Sequence, residues 1–273
     1  MGNSDFMETE RIEGGTELVV YRCEDSLESI FTAIYLSYEE NRDARDTCLV
    51  LHEEPLLFAE NRKVEADPGR VIKVIRTLKR RFGEDDYLSV CTALASTDEN
   101  KAQAVYRTVV KGLDERCARG HLFDSLADEY VLKVFSLARA AGREIQHLKG
   151  FVRFQELENG ILYAQIGPKS NAVTFLMPHF ADRLPAENFV IYDENRGIFG
   201  VHPSGGQWYL LSGEESEKRE LSFSEQELKY RELFCHFCHT IAIQERQNLK
   251  LQRNLLPLRY QEYMVEFGCR EQL

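Results

Sequence analysis

No stretch of this sequence stays apolar for the roughly 18–20 residues that a bilayer-crossing helix needs, and the opening MGNSDFMETERIEGG has no basic flank leading into an apolar run. Neither a membrane span nor a secretory signal is expected, so the address read from the sequence is cytoplasmic. Met1-Gly2 begins like a myristoylation signal, but Phe6 stands where Ser or Thr is required. G-x-S-x-G, a P-loop, G-x-G-x-x-G and H-E-x-x-H are all missing, which removes the local signatures of common hydrolase, NTPase, dinucleotide and zinc-protease chemistry. Without C-x-x-x-C-x-x-C the chain has no iron–sulfur ligand pattern of its own, and no cofactor is expected. Positive charge is scarce as well. The net charge of -11 opposes non-specific adhesion to nucleic acid, so any such contact needs a local basic patch.

What is present is a 273-residue chain, 43% hydrophobic, sufficient for one large domain or two intimate lobes. Its seven cysteines are odd in number and lack a secretory context, which argues for reduced thiols, with Cys23, Cys48, Cys91 and Cys117 in apolar, core-like settings. Residues 1–17 are polar and aperiodic and read as a disordered leader. Residues 18–23 and 48–52 read as strands, with a helix capped by Ser26 between them. Pro55 and the polar ENRK segment suggest a loop. Asp67-Pro68 opens a helix whose buried stripe is Val71, Val74, Ile75 and Leu78, and Gly83 ends it. Helical periodicity recurs over 86–95, 99–115 and 124–141.

After Gly150 the period changes to two. Phe151, Val152 and Phe154 precede the turn Glu158-Asn159-Gly160, and residues 161–166 return, which predicts a hairpin. Strands follow at 188–193 and 197–202, with Trp208–Leu211 a further candidate, and a helix runs from Ser224 to about Gln247. The expected fold is therefore α+β: a mainly helical lobe over 18–146, then an α+β lobe over 147–273 with a small antiparallel sheet and a C-terminal helix. The two lobes are compatible with a single domain.

Arg143 to Arg196 holds the densest set of reactive and phosphate-compatible groups. His147, Glu156, His179 and Asp193 are the candidates for an acid, a base or a metal triad, with His179 expected near a helix start and Asp193 and Arg196 flanking a hairpin turn. Arg143, Lys149, Arg153, Arg183 and Arg196, joined by Arg246 and Arg259 further on, are candidates for nucleic-acid contact. Lys149-Gly150-Phe151-Val152-Arg153-Phe154 resembles an RNA-recognition strand but lacks two residues, which breaks the alternation that places both aromatics on one face. Cys235-His236-Phe237-Cys238-His239 satisfies C-x-x-C-H, yet it sits in a helical pattern with no second C-x-x-C, so buried helix thiols are expected rather than haem or zinc. The basic face Arg70, Lys73, Arg76, Lys79, Arg80 and Arg81 is diluted by Glu65, Asp67, Glu84, Asp85 and Asp86.

From Val19 to Phe267 the chain resembles a bacterial family described as DNA metabolism proteins of unknown function. The resemblance is carried by Glu24-Asp25-Ser26-Leu27-Glu28 with Ile30–Tyr35, by Gly150-Phe151 with Arg153-Phe154 and Glu156-Leu157, and by Pro178–Pro185. Ile191-Tyr192-Asp193, Glu245-Arg246 with Asn248, and Leu256–Arg259 complete it. Members are encoded beside a radical-SAM DNA modification or repair protein, and related domains are fused to uracil-DNA glycosylase-like domains. The resemblance therefore implies a pathway and a radical-SAM partner, and no catalytic mechanism. Leu233-Phe234 departs from the family's Leu-Trp pair, Ser29 replaces a position often occupied by glycine, and Cys235 and Cys238 fall outside the pattern. The expectation is an accessory protein of DNA repair or modification that binds nucleic acid or a damaged base. The alternatives are a nuclease or base-processing hydrolase built on His147, Glu156, His179 and Asp193, and a protein scaffold without nucleic-acid contact.

Overall fold

Val19, Val20 and Tyr21 are all 0% exposed, which places β1 (Val19–Arg22) at the centre of a sheet covered on both faces. A computed structural model describes residues 18–51, 54–114, 122–213, 221–246 and 248–268. The expected leader over 1–17 and Cys117 lie outside these residues. Ser26 caps α1 (Leu27–Glu39) by accepting from the Ser29 amide, so the predicted strand-into-helix entry is formed. The chain returns through β2 (Thr47–Val50) and β3 (Glu60–Lys63), and both pair parallel with β1 in the order β2-β1-β3.

The first half is mainly helical, as expected, with this parallel sheet at its start, and β3 corrects the ENRK loop. An edge strand with no buried apolar row has no hydrophobic alternation to betray it. Its order comes instead from ion pairs of Arg62 with Glu60 and Glu40, and from Asn61, whose side chain holds the backbone of Leu56 and Ala59.

α2 (Pro68–Phe82) starts where predicted, with Asp67 accepting from the Gly69 and Arg70 amides, and ends at Gly83, whose φ of 87° suits glycine. α3 (Glu84–Leu94) and α4 (Lys101–Leu113) follow. Tyr21, Phe31, Leu49, Leu78, Tyr106 and Val109 lie in one buried cluster. α5 (Glu129–Phe151) is longer than its periodicity suggested. The chain divides into two compact units, one ending at Leu94 and including Asp98–Ala138, the other formed by Ala95–Thr97 and residues from Arg139 onward. The first part of α5 thus belongs to one unit and the remainder to the other.

In the second unit, β4 (Gln155–Glu156), β5 (Leu162–Ile166), β6 (Phe189–Asp193), β7 (Ile198–His202) and β8 (Tyr209–Ser212) form one sheet in that order, with α6 (Val173–Arg183) between β5 and β6. The β4/β5, β6/β7 and β7/β8 pairs are antiparallel, whereas β5 and β6 run parallel. The all-antiparallel expectation is corrected there, because a parallel pair needs a crossover and α6 provides it. Pro178 hid that helix in the sequence; it sits inside α6 on the exposed side, and His179 lies in the helix's second half rather than at its start. Ala164, Ile166, Phe189 and Ile191 form a buried core with Val173, Leu176, Met177 and Phe180. α7 (Glu225–Thr240), α8 (Leu249–Leu255), α9 (Leu258–Gln261) and α10 (Val265–Gly268) close the described chain.

The hairpin at Gly160 forms, with φ of 77°, but its first strand starts at Gln155. Lys149, Gly150 and Phe151 are helical, which removes the strand on which an RNA-recognition reading depended.

Candidate functional site

Alternation along β5 sends Leu162, Ala164 and Ile166 towards the core beneath α6 and leaves Tyr163 and Gln165 on the opposite face. That face floors a cleft of about 1340 Å³ within the second unit. Its floor holds Gln155, Tyr163, Gln165 and Glu194, the last of these just beyond β6. One wall is α7 with the segment before it, including Phe223, Leu228, Lys229 and Arg231. The other is the run Glu262–Val265, with Arg153 at the rim.

Polar groups on the floor are tied together. The Tyr263 hydroxyl donates to Glu194 Oε1, and Gln165 Nε2 donates to Glu194 Oε2 at 2.5 Å. A Cβ at Gly167 would run into the Tyr263 ring, so this glycine lets the ring lie against the backbone. Burial raises the Tyr263 phenol, and its hydrogen bond to Glu194 raises it further. Burial, aided by Tyr192 and Glu194, pushes Tyr163 up to about 12. Both rings therefore stay neutral at physiological pH, as hydrogen-bonding and stacking surfaces. Arg153, Lys229 and Arg231 are matched in number by Glu194, Glu232 and Glu262, so the cleft is polar without being basic.

Of the eleven residues named in the sequence as catalytic or nucleic-acid-binding candidates, Arg153 alone lines this cleft. Its guanidinium is also engaged by Glu266 at 2.9 Å and by the Gly150 carbonyl at 3.0 Å. Arg196 holds the turn after β5, donating to the carbonyls of Pro168 and Lys169 and to Asp193 Oδ2. Asp193 is 0% exposed; burial raises its carboxyl, and the Arg196 charge pulls the other way. Glu156 accepts from Ser224 Oγ at 3.0 Å, a structural role beside α7. His147 is exposed, with its ring 5.7 Å from Phe151 and 6.1 Å from Tyr260, while His179 packs edge-on against Phe180. Among the described residues no hydrogen bond or ion pair joins any two of His147, Glu156, His179 and Asp193, and none of the four lines the cleft. Arg143, Lys149, Arg183 and Arg246 project from the surface to differing degrees, and Arg259 pairs with Glu144 at 3.2 Å.

Glu144 escaped the sequence reading. It is 5% exposed and accepts from the Lys169 and Ser170 amides at 3.0 and 2.8 Å. Burial works to raise its carboxyl, but hydrogen bonds from Ser170 and the two amides, with the Arg259 charge, outweigh that and hold it below the ordinary value. The floor residues were missed too, although the alternation Tyr163-Ala164-Gln165-Ile166 already marked a strand with one polar face. Among the described residues no group of three or more His, Cys, Asp or Glu is arranged to hold a metal ion. Cys238 is a free thiol, whereas Cys235 is disulfide-bonded, which corrects the expectation of reduced thiols throughout. The His239 side chain lies outside the described residues. On the α2 face, Arg70 pairs with Glu39, Lys73 donates to the Tyr35 hydroxyl, Lys79 pairs with Glu84, and Arg81 holds the Gly112 and Asp114 carbonyls, so four of the six residues of the expected basic stripe are committed internally.

Fold and cleft together define a mixed α/β protein of two units, the second carrying a ligand-sized recess walled by its C-terminal helices. Residues 99–266 match a domain of unknown function, DUF4130, and the chain belongs to that family. No curated protein and no solved structure matches it.

Proposed function

We propose that this chain is an accessory protein of bacterial DNA repair or modification, in which the second unit receives an unstacked or damaged base and a radical-SAM protein is the partner. The observation that carries the reading is the composition of the cleft: aromatic faces from Tyr163, Phe223 and Tyr263 beside the hydrogen-bonding groups of Gln155, Gln165 and Glu194. A base outside the duplex is read by stacking and by hydrogen bonds to its edge, and these groups supply both. The volume exceeds the roughly 300–1,000 Å³ of a typical small-ligand pocket, which leaves room for the sugar and a neighbouring nucleotide. The resemblance to DNA-metabolism proteins points the same way. A protein partner has a surface available on α7 and beyond, where Tyr230, Leu233, Phe234, Phe237 and Ile241 are exposed at helical spacing.

Titration of labelled single- and double-stranded DNA at low and moderate salt tests the reading. Single strands should bind more tightly, with shallow salt dependence because cations and carboxylates balance in the cleft. Tyr163→Ala should weaken binding by about tenfold. Absence of binding to either form would refute it. Nuclease-resistant co-purification with the radical-SAM protein, lost in Phe237→Glu, is the expected result for the partner.

A further inference from the structure

Arg231 is held in an unusual state. Its guanidinium carbon lies 4.6 Å from the centre of the Phe223 ring, its side chain lines the cleft, and its Nε and Nη2 are buried without a hydrogen-bond partner. These two nitrogens form one edge of the guanidinium, the fork that grips two oxygens of a carboxylate or phosphate at once. The Glu227 carboxylate forms a loose ion pair, 4.0 Å from Nε and beyond hydrogen-bond reach. Glu227 is retained elsewhere: its Oε2 accepts from the Glu156 amide at 3.2 Å, and its own amide donates to Ser224 Oγ at 3.0 Å. The cap of α7 thus keeps a potential partner away from the fork.

We infer that Arg231 is an oxyanion-binding residue, with a ligand phosphate or carboxylate completing its Nε/Nη2 edge. The inference rests on the nucleotide reading above and sharpens it, since the corresponding group of a nucleotide is its phosphate. Arg231 is reached from the cleft, where its side chain is 28% exposed, and a turn of the guanidinium off Phe223 brings the fork to the ligand. Lys229, Glu232 and His236 line the same wall from the same helix, so with Arg231 the cations outnumber the carboxylate on the α7 side of the lining.

Calorimetric titration of the full chain with a deoxynucleoside, its 5′-monophosphate, inorganic phosphate and succinate separates the cases. The monophosphate should bind about 10- to 100-fold more tightly than the nucleoside. That margin should vanish in Arg231→Met and fall sharply in Arg231→Lys, which keeps the charge and loses the fork. Arg231→Lys should leave the thermal midpoint nearly unchanged, because it keeps a charge beside Glu227 and Phe223. The Arg231 Nε–H resonance of the unsubstituted chain should also shift on phosphate addition, a readout independent of any variant. Phosphate binding through Arg231 without nucleoside binding would sustain this inference while the base reading failed, and succinate binding alone would assign the oxyanion to a carboxylate. Equal affinity for nucleoside and monophosphate, no binding of any oxyanion, or a large drop in midpoint with unchanged binding would overturn it.

Discussion

Single side chains decide whether the second unit holds its turns in place. Glu144 accepts hydrogen bonds from the Lys169 and Ser170 amides, so Glu144→Ala should lower stability by about 2–4 kcal/mol in chemical denaturation, a range reduced because Arg259 is partly exposed. Its pH signature has a definite sign. The folded carboxyl sits below the reference value of 4.5, so the stability it contributes is present above that pH and is lost as pH falls through the folded value. The unsubstituted protein should lose stability more steeply below about pH 4.5 than Glu144→Gln. Gly167 acts through what it lacks. In Gly167→Ala the new methyl displaces the Tyr263 ring from Glu194, and oligonucleotide titration should register weakened binding with little change in denaturation midpoint.

Elements were legible where pattern and burial coincide. β1, α1 and α2 followed from an apolar run, a Ser cap and an Asp-Pro start, and the β6/β7 hairpin followed from its turn residues. β3 and α6 were not legible, because an ion-paired edge strand has no apolar row and a mid-helix proline reads as a stop. The candidate site shared that fate. Reactive residue types drew attention to His147 and Asp193, whereas the cleft is assembled from Gln, Tyr and Glu brought together by strand alternation and by the C-terminal run. Two changes test the element contacts. Ser224→Ala removes the hydroxyl that receives the Glu227 amide and should cost about 1 kcal/mol, with faster hydrogen exchange confined to the first turns of α7. Gly200→Ala drives a methyl into Met177 and Val173 between β7 and α6, and should cost about 1–3 kcal/mol.

For the whole molecule, two compact units predict that unfolding is resolved into parts. The one tryptophan, Trp208, packs against the core of the second unit, so its fluorescence follows that unit while far-ultraviolet circular dichroism follows both. A bound nucleotide should raise the fluorescence-detected midpoint and leave a separate dichroism component unmoved; a single coincident transition would refute this independence. The family match begins at residue 99, on the threshold of α4, and α4 is part of the first unit's core. Gln103 accepts the Leu49 amide of β2 at 2.9 Å, and the Tyr106 hydroxyl meets Ser37 of α1 at 2.8 Å. A fragment cut to the matched residues would carry away a helix whose apolar face had been torn from its sheet. Val105, Tyr106 and Val109 would then face water, and such a fragment should aggregate where the intact chain does not.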